Sequence, residues 1–530
     1  MNNFIDKLNI IISEKKFEFF LLISFLVIFL SINTKPSHFY NVNHTIFGFI
    51  NYLRFTLPFL LIFPLIYLNL KSKKINKIIY FFLFYFGFQV AGALLNIKLI
   101  GSNIENFYLI VDAVGILLIL NLLENRPDLY NRLFKIIFII LFFSFLISFS
   151  KYLINYYSEP SLYLYDFKDF YSLRIMETTL GHSSGVSRVT LFLFVFSILY
   201  LLIYKRYFTI LFLLNIFLLT IVWGYQSRGT IIMFFIFCFF LILINFFNKS
   251  NFKLYLITLN IILSIILWEI IFVSKTLVFF EDSLKQNKIK IPTIEMQNDN
   301  GDLSFGYLKE DSVLFNLTTI KHNRFSSTIE RYLKVTSINK KKREKFYIEM
   351  EKYKTNTPSD SGDSGKTDFK SKNTEIIKPY YNVNDAPLTS GRTIIWKRII
   401  STYDFKKIFG YGFQADRFIL SKLNKENTTF GSNSSNGYLY SLVSGGYFAL
   451  LIFLSINILA LQKVFVFIKK SNEISNIETK FYGFLTSSLI ILILARSLIE
   501  NSHSLFGIDF IIFVSCMMYI NNINNSLNSN

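Results

Sequence analysis

The chain has 530 residues, 52% of them apolar and 62 of them phenylalanine, and carries a formal net charge of +20. That much apolar surface exceeds what one soluble core can hide, which sets aside a water-soluble globular enzyme and points to a bilayer as the solvent. The basic excess falls in short segments between apolar runs and forms no nucleic-acid-binding module, so no nucleic-acid partner is expected.

Runs long enough to cross roughly 30 Å of hydrocarbon as helices are predicted at 17–33, 54–70, 78–97, 104–123, 133–154, 185–204, 207–223, 229–247, 253–280, 438–468, 481–499 and 505–521. The expected fold class is an all-α polytopic membrane protein of about 12 transmembrane helices. The first run lacks a small-residue cleavage site and is followed by more spans, so it does not read as a signal peptide. Cys238 and Cys516 lie inside apolar runs and imply no disulfide framework.

With a cytoplasmic N-terminus, the inside loops hold Lys7, Lys15, Lys16, Lys71, Lys73, Lys74, Lys77, Arg126, Arg132, Lys205, Arg206, Lys249, Lys253, Lys469, Lys470 and Lys480. The short outside loops are much poorer in Lys and Arg, so the positive-inside rule supports this direction, with both termini cytoplasmic.

Two outside segments are substantial, 155–184 and 281–437. The domain plan is therefore 1–280 (spans one to nine), 281–437 (a large outer loop) and 438–530 (spans ten to twelve and a tail). Within the loop, 295–385 is polar and Lys-, Asn- and Ser-rich, the composition of a flexible insertion. In 386–437 apolar residues recur at helical spacing around Ile394, Ile395 and Trp396, followed by the turn residues Gly410–Tyr411–Gly412, which predicts a packed helix and a turn.

Four arginines share a depth in this topology. Arg54, Arg188 and Arg228 open the second, sixth and eighth spans, and Arg496 ends the eleventh. All four lie near the outer face, with Arg392 and Arg398 in the loop above. Snorkelling to lipid phosphate is the plain reading of any one of them. Together they suit a phosphate group, because guanidinium forks match phosphate oxygens in pairs. Asp112, Glu269, Glu500 and Asp509 read first as partners that neutralise arginines, while Asp112 and Glu269 keep proton-coupled transport in view. His182 and His503 read first as structural interface histidines. No metal-ligand spacing and no phosphate-cradling glycine loop is present, so neither metal nor cofactor is expected.

Ser227–Arg228–Gly229 at an outer span start resembles the Ser-Arg-Gly signature of the O-antigen polymerase and O-antigen ligase superfamily. Ser390–Gly391–Arg392 with Ile395–Trp396 is similar, and the Gly410–Tyr411–Gly412 turn fits. Ser434–Ser435–Asn436–Gly437–Tyr438–Leu439, with Gly445–Gly446 after it, resembles the family's His-Asn-x-Tyr-Leu stretch. The resemblance implies a metal-independent glycosyltransferase of the GT-C type in the bacterial inner membrane. Its partners would be an undecaprenyl-diphosphate-linked oligosaccharide and membrane lipids, with a chain-length regulator left open.

Carried over by motif, Arg228 and Arg392 become catalytic candidates that stabilise the departing diphosphate. Arg54, Arg188, Arg398 and Arg496, inferred from depth, join Ser435, Asn436 and Tyr438 as substrate-binding candidates. Ser435 stands where the family pattern that includes ligases has histidine, and serine does not replace imidazole as a base. His503, His182 or Glu500 would then take that part, or no base is required. The missing histidine favours a repeat-unit polymerase over a ligase that transfers glycan to lipid A-core. A polysaccharide flippase is the reading from another class.

Overall fold

The computed structural model describes residues 14–33, 44–72, 75–96, 104–124, 126–158, 183–225, 227–248, 254–268, 292–296, 303–307, 392–416, 434–504 and 506–529. By its contacts the chain divides into two compact units. One comprises Met1–Pro160, Asp169–Glu269 and Ile395–Asn530; the other comprises Ser161–Lys168 and Ile270–Ile394.

The first unit is a helical bundle. Its helices are α1 (Glu14–Asn33), α2 (His44–Ser72), α3 (Lys77–Leu95), α4 (Ile104–Leu122), α5 (Pro127–Ser158), α6 (Ser183–Tyr204), α7 (Phe208–Tyr225), α8 (Arg228–Asn248) and α9 (Tyr255–Trp268). After α10 (Arg392–Thr402), whose first residues belong to the second unit, come α11 (Gly437–Lys470), α12 (Ile477–Ser497) and α13 (Ile508–Ser529). Apart from α10, each helix falls on one of the expected spans. Among the described residues six helices are long and apolar enough to cross a membrane, and shorter apolar helices accompany them. The first unit is all-helical, and the protein is a polytopic membrane protein.

The distribution of side chains follows from a lipid solvent. Phe235, Phe239, Ile242 and Phe246 on α8 and Leu451, Leu454, Ile458, Leu461 and Phe465 on α11 form exposed apolar stripes at helical spacing. Polar groups go inside. On α12 every residue from 481 to 490 is buried, in contact with α6, α8, α11 and α13. Its Thr486 and Ser487 hydroxyls donate to the Tyr482 and Gly483 carbonyls at 2.8 Å each, which satisfies them without water. Other polar groups join neighbouring helices: Asn121 donates to Asn69 at 2.7 Å between α4 and α2, and Trp223 donates to Ser264 at 2.9 Å between α7 and α9.

One span is broken. Gly446 has φ 72° and ψ −163°, which interrupts α11. The turn at Gly410–Gly412 fills the break: Tyr411 N–H donates to the Val443 carbonyl and Gly412 N–H to the Ser444 carbonyl, both at 2.8 Å. In return the Tyr447 N–H donates to the Ile408 carbonyl at 3.1 Å. A Cβ on Gly446 would lie 1.8 Å from the Ile408 oxygen, so only glycine fits. Asn96, at the end of α3, donates to the Gly410 carbonyl at 3.0 Å and completes the seat. Ile395, Ile399, Tyr403 and Ala415 pack with Val443 beneath it.

In the second unit the described residues before α10 are those of two strands. Strands β1 (Pro292–Met296) and β2 (Leu303–Tyr307) pair antiparallel, with Pro292 opposite Tyr307 and Met296 opposite Leu303. Alternating apolar residues flank Asn300–Gly301, a common hairpin signal.

Candidate functional site

Three helix ends bring a charged cluster together. Arg188 lies in the second turn of α6, Arg496 in the last turn of α12, and Asp509 in the first turn of α13. Each of the last two complements its own helix dipole, an anion at an N-terminus and a cation at a C-terminus. An Asp509 carboxylate oxygen receives the Arg188 guanidinium at 3.0 Å, and the other is paired with Arg496. The Ser502 hydroxyl also donates to Asp509, at 3.1 Å.

All three charged side chains are largely buried, 14% exposed for Arg188, 11% for Arg496 and 3% for Asp509. Two guanidinium groups on one carboxylate leave a positive excess where water does little to screen it. Glu500 adds an opposing charge close enough to act on Arg188, and the Arg188 Nε is a buried donor without a hydrogen bond among the described residues. The arrangement can hold a further anion, because the desolvation of both guanidinium groups is already offset in part by Asp509.

The start of α8 lies at the same end. A Cβ on Gly229 would come within 3.0 Å of Ile499, and Thr230 donates to the buried Ser227 hydroxyl at 3.1 Å. The backbone of Arg228 therefore begins beside the turn between α12 and α13. The side chains of Arg54, Arg228 and Arg398 lie outside the described residues, as do His182 and Glu269. Arg392 opens α10 and is partly buried.

A second network organises the chain before α11. Asn436 caps that helix, its side-chain oxygen accepting from the Tyr438 and Leu439 N–H groups at 2.9 Å each, while its Nδ2 donates to the Leu498 carbonyl. The Asn501 oxygen accepts from the Ser434 hydroxyl at 2.8 Å and the Asn436 N–H at 3.0 Å. Buried Asp416 accepts from the Ser434 N–H at 2.7 Å, and Trp396 donates to the Ser434 carbonyl at 3.0 Å. Ser435, half-buried with φ 46°, is carried at the crest of this turn. The network ties the stretch 434–436 to α10 and to the α12–α13 turn.

His503 occupies the floor of the same turn. It stacks between Phe453 at 4.8 Å and Phe513 at 4.0 Å, 1% exposed. Asn457 donates to the Tyr438 hydroxyl at 3.2 Å and so presents its oxygen to His503 Nε2 at 2.8 Å; this makes Nε2 the protonated nitrogen. Burial pushes the imidazole down to about 3, against the opposing pull of Asp509. The ring is neutral and packed at neutral pH.

Asp416, Asn457, Asn501 and Ser502 were not among the residues expected from sequence. A clue exists for two of them, since Asn501 and Ser502 sit in the polar turn that carries His503. Asp416 has no such neighbour.

Residues 212–454 match the family model described as O-antigen ligase. The match covers the Ser227–Gly229, Ser390–Trp396 and Ser434–Leu439 motifs and supports the resemblance drawn from them. It supports an O-antigen ligase or polymerase type of function in general, with a membrane glycosyltransferase-like enzyme and a lipid-linked glycan as substrate. No curated protein and no solved structure matches the chain.

Proposed function

We propose that this chain, a member of the O-antigen polymerase and ligase superfamily, is a surface-polysaccharide polymerase. It joins repeat units carried on undecaprenyl diphosphate at the outer face of the bacterial inner membrane, with both termini in the cytoplasm. The observation that carries the reading is the Arg188–Asp509–Arg496 cluster, two buried guanidinium groups on one carboxylate, at the end of the bundle where α8 starts.

In the proposed reaction an acceptor sugar hydroxyl attacks the anomeric carbon of the donor glycan. The new glycosidic C–O bond forms as the bond to the diphosphate breaks, and the lipid diphosphate leaves with the electron pair. Charge grows on its oxygens, and fixed guanidinium groups stabilise that charge. Arg188 and Arg496 supply it from the bundle, and Arg228 and Arg392 are assigned the same task by motif. Asp509 holds two of the forks without cancelling them. Glu500 is assigned to take the hydroxyl proton, since His503 is spent on packing and on Asn457. Asn436 and Asn501 shape the wall on which Ser435 is presented, and Tyr438 is braced by Asn457.

The ligase is the second reading, favoured by the description of the matched family itself. Serine at 435 favours the polymerase. Surface glycan from a deletion strain, resolved on a gel, separates them. A single repeat attached to the core supports the polymerase. Loss of all attached glycan, with long chains on the lipid carrier, would replace it with the ligase. Single units held on the cytoplasmic side would replace it with a flippase.

A further inference from the structure

The segment between α10 and Gly412 belongs by sequence to the large hydrophilic loop, yet its surface is not hydrophilic. Phe405 and Ile408 are 53% and 51% exposed, and Phe409 is exposed beside them. Their surroundings are spans. The Phe409 ring lies 6.1 Å from Phe88 of α3 and 6.2 Å from Phe448 of α11, and Phe88 and Phe448 stack at 5.2 Å. Phe88 sits two helical turns before the end of α3, about 10 Å along its axis. Phe448 sits two residues past the Gly446 break, inside α11. Both placements put Phe409 below the rim of the bundle.

Tyr447 and Phe448 are themselves exposed and begin the apolar stripe that continues through Leu451, Leu454 and Ile458. Phe409 and Ile408 extend that stripe without a polar gap. Irregular backbone at such a depth is tolerated only when its polar groups are satisfied by protein. Four of these groups bond the spans: the Tyr411 and Gly412 N–H groups reach the carbonyls freed at the Gly446 break, the Ile408 carbonyl receives Tyr447, and the Gly410 carbonyl receives Asn96. The charges are also provided for. Lys407 bonds Asn96 and lies 4.3 Å over the Tyr411 ring, the Asp404 carboxylate accepts from the Lys406 N–H at 3.0 Å, and Lys406 is exposed, where its long stem reaches headgroups.

We infer that residues 404–412 form a re-entrant segment whose Phe405, Ile408 and Phe409 side chains contact bilayer hydrocarbon, level with Tyr447 and Phe448 of α11. The occupant of this surface is lipid, because the patch is continuous with lipid-facing stripes and its backbone is bonded to the spans at Ile408, Gly410, Tyr411 and Gly412.

The test is site-directed spin labelling of the full chain in phosphatidylethanolamine–phosphatidylglycerol vesicles. The native cysteines are first replaced by Cys238→Ser and Cys516→Ala. Nitroxides are then placed by Ile408→Cys and Phe409→Cys, with Leu451→Cys as the lipid reference and Lys397→Cys as the aqueous one. Power saturation with oxygen and with a nickel chelate distinguishes three environments. At 408 and 409 the oxygen-to-nickel accessibility ratio should match that at 451 and exceed that at 397 severalfold. A nickel-rich signal like that at 397 would overturn the inference by placing the segment in water. Low accessibility to both agents would overturn it by placing another part of the protein over the patch. Ile408 is half exposed, so its label reports even where Phe409→Cys loosens the ring contacts with Phe88 and Phe448, and neither outcome depends on the reaction proposed above.

Discussion

Asp509 is the residue on which two buried cations depend. Asp509→Asn would leave Arg188 and Arg496 without their carboxylate, an effect of about 3–5 kcal/mol for a broken buried pair. The expected result is a large drop in thermal stability of the purified protein, with Asp509→Glu much milder. Arg228→Lys and Arg392→Lys keep the charge but lose the fork, so each should cut polymer formation at least about tenfold, roughly 1.4 kcal/mol of barrier. Membrane yield should stay normal; normal polymer ladders from both variants would remove these residues from the diphosphate site.

His503 makes a pH-dependent contribution whose sign follows from burial. The unfolded imidazole titrates near 6.5 and the folded one near 3. Between these values the unfolded chain binds a proton that the folded chain does not, so stability falls as pH drops from about 6.5 to about 3. His503→Gln should flatten the unfolding temperature across that window. A variant with the same acid sensitivity as the parent would show that another group is responsible.

At the scale of elements, the break in α11 is the least replaceable feature. Gly446→Ala combines a positive φ with a Cβ driven into the Ile408 carbonyl. The backbone strain alone is worth about 1–3 kcal/mol, and the docked turn would be expelled as well. Gly507→Ala is the matched control, with nothing within 4 Å of the added carbon, and should leave the unfolding temperature unchanged. The break was not legible in the sequence. Gly445–Gly446 in an apolar run reads as a tolerated pair inside a helix, and the positive φ is dictated by Ile408 from a distant segment. The spans were legible, because each is a continuous apolar run that needs no partner to be recognised. Arg188, Arg496 and Asp509 stand out in the sequence for the opposite reason, as charges where charge is costly. The Asp416–Asn501 contact joins residues 85 apart in chain, and no local pattern announces it.

At the scale of the whole molecule, the hydrophilic stretch 281–437 is divided between two units, with Ile395 onward belonging to the bundle and Ile270–Ile394 to the other unit. Shortening the insertion within 295–385 should therefore preserve polymer formation, whereas deletions within 388–440 should abolish it, since they remove the turn at Gly410–Gly412 and the cap at Asn436. Equal loss from both, measured as surface polymer at matched expression, would contradict that division.

The seat at Gly446 has a consequence for hydrogen exchange. The amides of Tyr411 and Gly412 lie in a connecting segment, where exchange is ordinarily fast, yet their acceptors are carbonyls of α11, and the Tyr447 amide is bound in the opposite direction. None of the three amides can reach solvent until turn and helix separate. They should exchange together, at a single slow rate set by that opening.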